Sequence, residues 1–148
     1  MPHQRFIREC YSLAVSAVRK GNHPFGALLV KAGKVIITAE NSVNTDHDCT
    51  LHAELALISQ ASRKFPPNIL QQSVLYTSTE PCPMCTGAIY WAGIPTIVFG
   101  CSAAALRALT NEGFELSCRE VLAKGSREIT VIGPVLEAEG METHRSFW

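Results

Sequence analysis

The chain has 148 residues, 47% of them hydrophobic, a length that suits one domain with a core large enough to need no staples. Thirteen Lys and Arg balance thirteen Asp and Glu, and no basic block exceeds the Arg63-Lys64 pair. A nucleic-acid surface draws its affinity from phosphate contacts, so this balance speaks for a small-molecule partner instead. No apolar run of signal or membrane length follows Met1-Pro2-His3-Gln4-Arg5, which reads as a cytosolic (cytoplasmic) protein with no membrane partner.

From about Arg5 to Lys20, Phe6, Cys10, Leu13, Ala14 and Ala17 recur at helical spacing, and Gly21 follows as a stop. This predicts a covering helix. Phe25 to Val30 and Val35 to Ala39 are apolar runs separated by Lys31-Ala32-Gly33-Lys34, the pattern of a β-hairpin. Asn41 and Asn44 stand in the polar stretch after it, where an asparagine is either turn chemistry or a donor and acceptor for a ligand. A second helix is expected from His52 to about Ala61, ended by Phe65-Pro66-Pro67. Val74 to Thr77 reads as a short strand, Pro83 to Ala92 as a helix closed by Gly93, and Thr96 to Phe99 as another strand. Ser102 is placed to cap a helix reaching Leu109. A helical patch at Val121-Leu122, a strand at Ile129 to Ile132 and a tail from Glu137 to Trp148 complete the chain.

Two stretches carry chemistry: Leu51-His52-Ala53-Glu54 and Glu80-Pro81-Cys82-Pro83-Met84-Cys85. Proline favours a first helical position, so Pro83 sets Cys82 at a helix cap, with Cys85 three residues on over the same face. The helix N-terminus lowers the thiol pKa and favours thiolates. His52 and Glu54 lie two apart and so do not share a helix face. His52, Cys82 and Cys85 are therefore read as ligands of one Zn²⁺ per subunit, and Glu54 as a catalytic acid/base beside it. Three protein ligands leave the fourth position to water or hydroxide, the mark of a catalytic site. The other four cysteines, Cys10, Cys49, Cys101 and Cys118, read as reduced thiols, because a disulfide framework suits short secreted chains. Two further readings, a Cys82-x-x-Cys85 redox pair and a structural zinc knot, leave His52-Ala53-Glu54 without a purpose.

His-x-Glu followed by Pro-Cys-x-x-Cys is the signature of zinc deaminases, and through these residues the chain resembles the cytidine/deoxycytidylate deaminase superfamily. With His23-Pro24-Phe25-Gly26-Ala27, Asn41, Thr50 to Glu54 and Pro81 to Trp91, it is most similar to the small guanine deaminases over its first two thirds. The resemblance implies a three-layer α/β/α sandwich, cytidine-deaminase-like, with a mixed central sheet of about five strands. It implies a homodimer, and hydrolysis of an amino group on guanine or a related heterocycle. Cytosine, triazine or purine nucleoside deaminases are alternatives. The tRNA adenosine deaminases fit less well, since they tend to have valine where Phe25 stands and a basic surface.

By the same resemblance Phe25, Asn41, Ala53 and Trp91 contact substrate. Read as bare sequence, Phe25 is core, and Trp91 is core or subunit interface. The guanine deaminases carry two acids after Gly-Phe, whereas here Gly113-Phe114 is followed by Glu115 and then Leu116. Glu115 takes that role, or the substrate differs. The tail, about 137–148, is expected either to pack within the chain or to cap the active site, with Phe147 or Trp148 closing the pocket across a dimer.

Overall fold

The structure, a computed structural model, describes residues 2–148. Its elements run in the order α1 (Pro2–Arg19), β1 (Gly26–Lys31), β2 (Lys34–Glu40), α2 (Ala53–Lys64), α3 (Pro67–Leu70) and β3 (Ser73–Thr79). Then follow α4 (Pro83–Ala92), β4 (Thr96–Cys101), α5 (Ala103–Thr110), α6 (Cys118–Leu122), β5 (Thr130–Ile132) and α7 (Glu137–Phe147). Among the described residues no helix is long and apolar enough to cross a membrane.

The five strands form one sheet in the order β2-β1-β3-β4-β5. β1 is antiparallel to β2 and β3, while β3, β4 and β5 run parallel. Ala32 and Gly33, the two residues between β1 and β2, both take positive φ, at 51° and 76°. That combination is the type I′ turn, whose twist matches the strands it joins.

Alternation along the strands builds two cores, and this is why three layers form. Leu28 and Val30 of β1, with Tyr76 and Val98, meet Phe6, Ile7 and Cys10 of α1. On the other face Ala27, Leu29, Leu75 and Ile97 meet Leu57, Ile58 and Ala61 of α2 and Ile89 of α4. Each fully buried Leu or Ile contributes about 1.5–3 kcal/mol, so both helix layers are held by burial and not by propensity alone. The expected three-layer α/β/α sandwich with a mixed five-stranded sheet is what the chain adopts.

The tail is a helix in place of a frayed end. α7 packs against β4, α5 and α1 of its own chain. The Tyr11 hydroxyl on α1 reaches the carbonyls of Val135 and Leu136 at 3.1 and 3.0 Å, just before α7 begins. Arg8 pairs with Glu139 at 3.0 Å, and the Glu137 carboxylate accepts from the backbone N–H of Ser102 at 2.7 Å. Gly140 permits the close approach, since a Cβ there would stand 2.4 Å from Tyr11 Cζ.

Overpacking of this kind costs about 1–3 kcal/mol. Gly140→Ala should therefore lower the urea unfolding midpoint by a loss in that range. Combined with Tyr11→Ala, which empties the space, the double variant should lose clearly less than the sum of the singles. Full additivity would place the two residues out of contact.

Candidate active site

The ends of the parallel strands set the position of the site, as is usual in open α/β sheets. β3 delivers Glu80-Pro81-Cys82, and α4 begins at once at Pro83. Cys82 is the N-cap of α4, extended at φ −67°, ψ 169°, and makes no side-chain cap bond. His52 occupies the equivalent place on α2, at φ −62°, ψ 154°, also with no cap bond. Two helices thus start at one point with their cap side chains free to bind something else.

They turn toward each other. His52 Nδ1 lies 3.6 Å from Cys82 Sγ, and the donor atoms of His52, Cys82 and Cys85 all lie within 4.8 Å of one another. Sulfur and nitrogen ligands at zinc bond lengths, arranged tetrahedrally, would stand about 3.5–3.8 Å apart, so the measured separation fits a shared ion.

Electrostatics tell the same story. A hydrogen bond from Cys85, with help from His52, holds the Cys82 thiol down to about 4. Cys85 is pushed far up, because its own S–H proton is shared with the Cys82 sulfur in a hydrogen bond and because it is buried. The Cys82 thiolate in turn raises the His52 pKa. A cation bound between the sulfurs takes the place of that shared proton.

Glu54 lies in the first turn of α2 and is 5% exposed. Burial pushes its carboxyl up to about 7, and the neighbouring Cys82 thiolate adds to the shift. Its side chain reaches the same cavity as His52 and Cys82, a space of about 220 Å³. Glu54 is outside the cluster of three ligand atoms, as a proton carrier has to be.

The rest of the cavity wall comes from distant segments. Phe25 enters from the start of β1, Leu106 and Arg107 from α5, and Trp148 from beyond α7. Phe114 and Leu116 come from the loop between α5 and α6, with Glu112 beside them. The Nε of Arg107 is buried without a hydrogen-bond partner, so a donor at this wall is left for an acceptor on a ligand.

Several expected contacts lie elsewhere. Ala53 is fully buried at the first turn of α2 and does not line the cavity. Asn41 is buried too, but its Oδ1 accepts from the backbone N–H of Val43 at 3.1 Å, which is turn chemistry and leaves only the amide N–H groups. Trp91 does not line the cavity of this chain. It lies six residues past Cys85, about 240° around α4, and is 84% exposed beside Tyr90. Glu115 is also displaced from its expected role. Its side chain is 84% exposed, 3.9 Å from Arg107, because the chain turns at Gly113 (φ 91°) and sends Phe114 and Leu116 to the wall with Glu115 outside. The acid that this loop brings to the wall is Glu112.

Glu80 has a role that the motif did not reveal. Its carboxylate accepts from the backbone N–H groups of Ala103 at 3.0 Å and Cys118 at 2.8 Å, fixing the starts of α5 and α6. An acid at a strand end next to proline was the available signal. Leu106, Arg107 and Glu112 carry no local signal, since only the folded chain brings them to the metal cluster.

A fold of this order, with two helix starts presenting His, Cys and Cys around a buried Glu, defines a zinc-binding deaminase domain. Residues 1–101 match the cytidine and deoxycytidylate deaminase zinc-binding region, and the chain belongs to that family. A probable cytosine deaminase of Schizosaccharomyces pombe is 39% identical over 152 residues, covering 97% of this chain and 90% of that protein. A guanine deaminase of Bacillus subtilis is 45% identical over 100 residues, 67% of this chain and 64% of its own. The tRNA-specific adenosine deaminase of the same organism is 31% identical over 141 residues, 90% of this chain and 81% of its own. The solved guanine deaminase of Nitrosomonas europaea superimposes with a TM-score of 0.84 at 22% identity, covering 97% and 82% of the two chains, a likeness of fold.

The raised Glu54 pKa has a consequence for stability. The folded metal-free protein holds this proton more tightly than the unfolded chain, so its stability falls as pH rises from about 4.5 to about 7. Glu54→Gln lacks that loss. In metal-free protein the variant should gain on wild type through this window, by up to about 3 kcal/mol, and the difference should level off above it. Urea titrations at several pH values measure this, and a flat difference would mean that Glu54 is not desolvated.

Proposed function

We propose that this protein removes the amino group of a free nucleobase by hydrolysis, with guanine as the first substrate, giving xanthine and ammonia. The observation that carries the reading is a buried carboxyl, poised near neutrality, beside a three-ligand metal cluster in a cavity sized for one planar ring system. Aromatic and aliphatic walls at Phe25, Phe114 and Trp148 suit the faces of such a ring, and Glu112 suits its N–H groups. The guanine deaminase relative supports the purine, and the probable cytosine deaminase, which aligns over nearly the whole chain, favours cytosine as a second reading.

His52, Cys82 and Cys85 would hold one zinc per subunit, which when bound lowers the pKa of water toward neutrality and supplies the nucleophile. Glu54 does the proton work. It accepts one proton of the attacking water at its carboxylate and gives it to the ring nitrogen next to the amino-bearing carbon, then takes the second proton from the added hydroxyl and passes it to the departing amine. Water is consumed, the C–N bond breaks, and ammonia leaves as the ring carbon becomes a carbonyl. Burial lifts the Glu54 carboxyl above the usual carboxylate range, which suits a group that has to donate as well as accept.

Phe25 and Trp148 flank the base in this reading, and the backbone N–H of Asn41, which donates to the Phe25 carbonyl at 3.0 Å, holds that end of β1 in place, with Ala53 next to His52 and Glu54 at the start of α2. The partner is a small molecule, with no nucleic acid, in the cytoplasm. The proposed assembly is a homodimer, for which Trp91 on α4 offers an exposed apolar surface.

Ammonia release from guanine, guanosine, cytosine, adenine and a triazine tests the substrate directly. Turnover of guanine above the others is expected. Cytosine alone as substrate would support the second reading, and inactivity on all five would refute both. Glu54→Gln should keep its zinc and lose at least about a hundredfold in kcat, the scale of a general acid/base.

A further inference from the structure

Thr79 and Trp148 are 69 positions apart in sequence, yet one imidazole joins them. His144 on α7 is 2% exposed, its Nε2 lies 2.8 Å from Thr79 Oγ1, and the Trp148 Nε1–H donates to its Nδ1 at 3.1 Å. An indole N–H only donates, so Nδ1 has to be the bare nitrogen. The proton is thereby placed on Nε2, which donates to the threonine hydroxyl. The partners themselves dictate the tautomer. Burial keeps the ring neutral, holding its pKa down to about 4.

Each end of this tie touches the cavity. Thr79 closes β3 just before Glu80-Pro81-Cys82, and both Thr79 and Trp148 form part of the wall. Phe25, on the facing side, lies 5.4 Å from the imidazole between ring centres. Trp148 stands past the last turn of α7 and remains 49% exposed. A large side chain in such a place ordinarily frays. Here it is tied through His144 to the end of the central strand, β3.

We propose that His144 is a positioning residue: by accepting from the Trp148 indole at Nδ1 it sets that ring at the cavity, where the ring forms one wall for the substrate. The inference rests on the reading that a planar heterocycle binds there. It predicts a particular pattern. Glu54, His52, Cys82 and Cys85 belong to α2, α4 and their N-caps, and none of them bonds to His144, so loss of the tie weakens substrate binding and leaves the chemical step nearly intact.

Three variants separate the tie from plain packing. His144→Phe fills the space with no acceptor. His144→Gln puts its amide near the Nε2 position, keeping Thr79 and losing Trp148. His144→Asn puts an oxygen near the Nδ1 position and keeps Trp148. The chain has two tryptophans, so a Trp91→Phe background leaves Trp148 as the sole indole, excited selectively over the tyrosines. Acrylamide quenching of its fluorescence reports the order of the indole without any substrate, and steady-state kinetics on the base that the parent deaminates report KM and kcat.

His144→Phe and His144→Gln should raise the quenching constant about twofold or more and KM about tenfold, with kcat within about threefold. His144→Asn should stay near the parent in both. Equal behaviour of Asn and Gln, or quenching and KM unmoved in both Gln and Phe, would overturn the proposal. If Phe does not fold, Asn against Gln carries the comparison. A parent that deaminates no base would refute the functional reading, while the quenching arm still decides whether His144 holds Trp148.

Discussion

Two helices begin at one point, and the charge gathered there is the constraint that the rest of the molecule serves. His52 and Cys82 are both N-caps in extended conformation, and neither side chain is spent on its own helix. The helix starts contribute partial positive charge, and hydrogen bonds from Cys85 and His52 hold the Cys82 thiol down further while Cys85 is pushed up. Left to itself this cluster is an incomplete solution to its own electrostatics. A divalent cation completes it, which is why the donor set and the family membership agree.

The sheet makes that meeting possible. Parallel β3 and β4 end on the same side, so α4 and α5 leave from neighbouring points, and Glu80 ties the start of α5 to that of α6 through two backbone N–H groups. The antiparallel β1 brings Phe25 to the same edge from the opposite direction. Glu54 is then enclosed by layers that were formed for packing, and its raised pKa is a by-product of the core around α2. Burial and reactivity have one origin here.

How much of this was legible beforehand differed by range. The metal ligands and Glu54 were readable because each pair lies within one helical turn, so spacing alone fixes their geometry. Strand alternation, the cap at Ser102 and the stop at Gly93 were readable for the same local reason. Trp91 and Glu115 show the limit. Both sit close in sequence to residues of the site, but the helical phase carries one away and the turn at Gly113 carries the other. In the tail, His144 and Trp148 pair one helical turn apart, a contact the sequence reading did not draw, and their partner Thr79 lies far back in the chain where no local pattern points to it.

The claim at the centre is that the polypeptide supplies three ligands to one zinc and keeps Glu54 apart from it. Zinc X-ray absorption on the purified protein, combined with metal content per chain, measures this most directly. The account predicts one zinc per chain with two sulfur neighbours, one imidazole nitrogen and one further light atom, in a shell that Glu54→Gln leaves unchanged. A third sulfur, a second imidazole, or a shell that alters when Glu54 is replaced would contradict it.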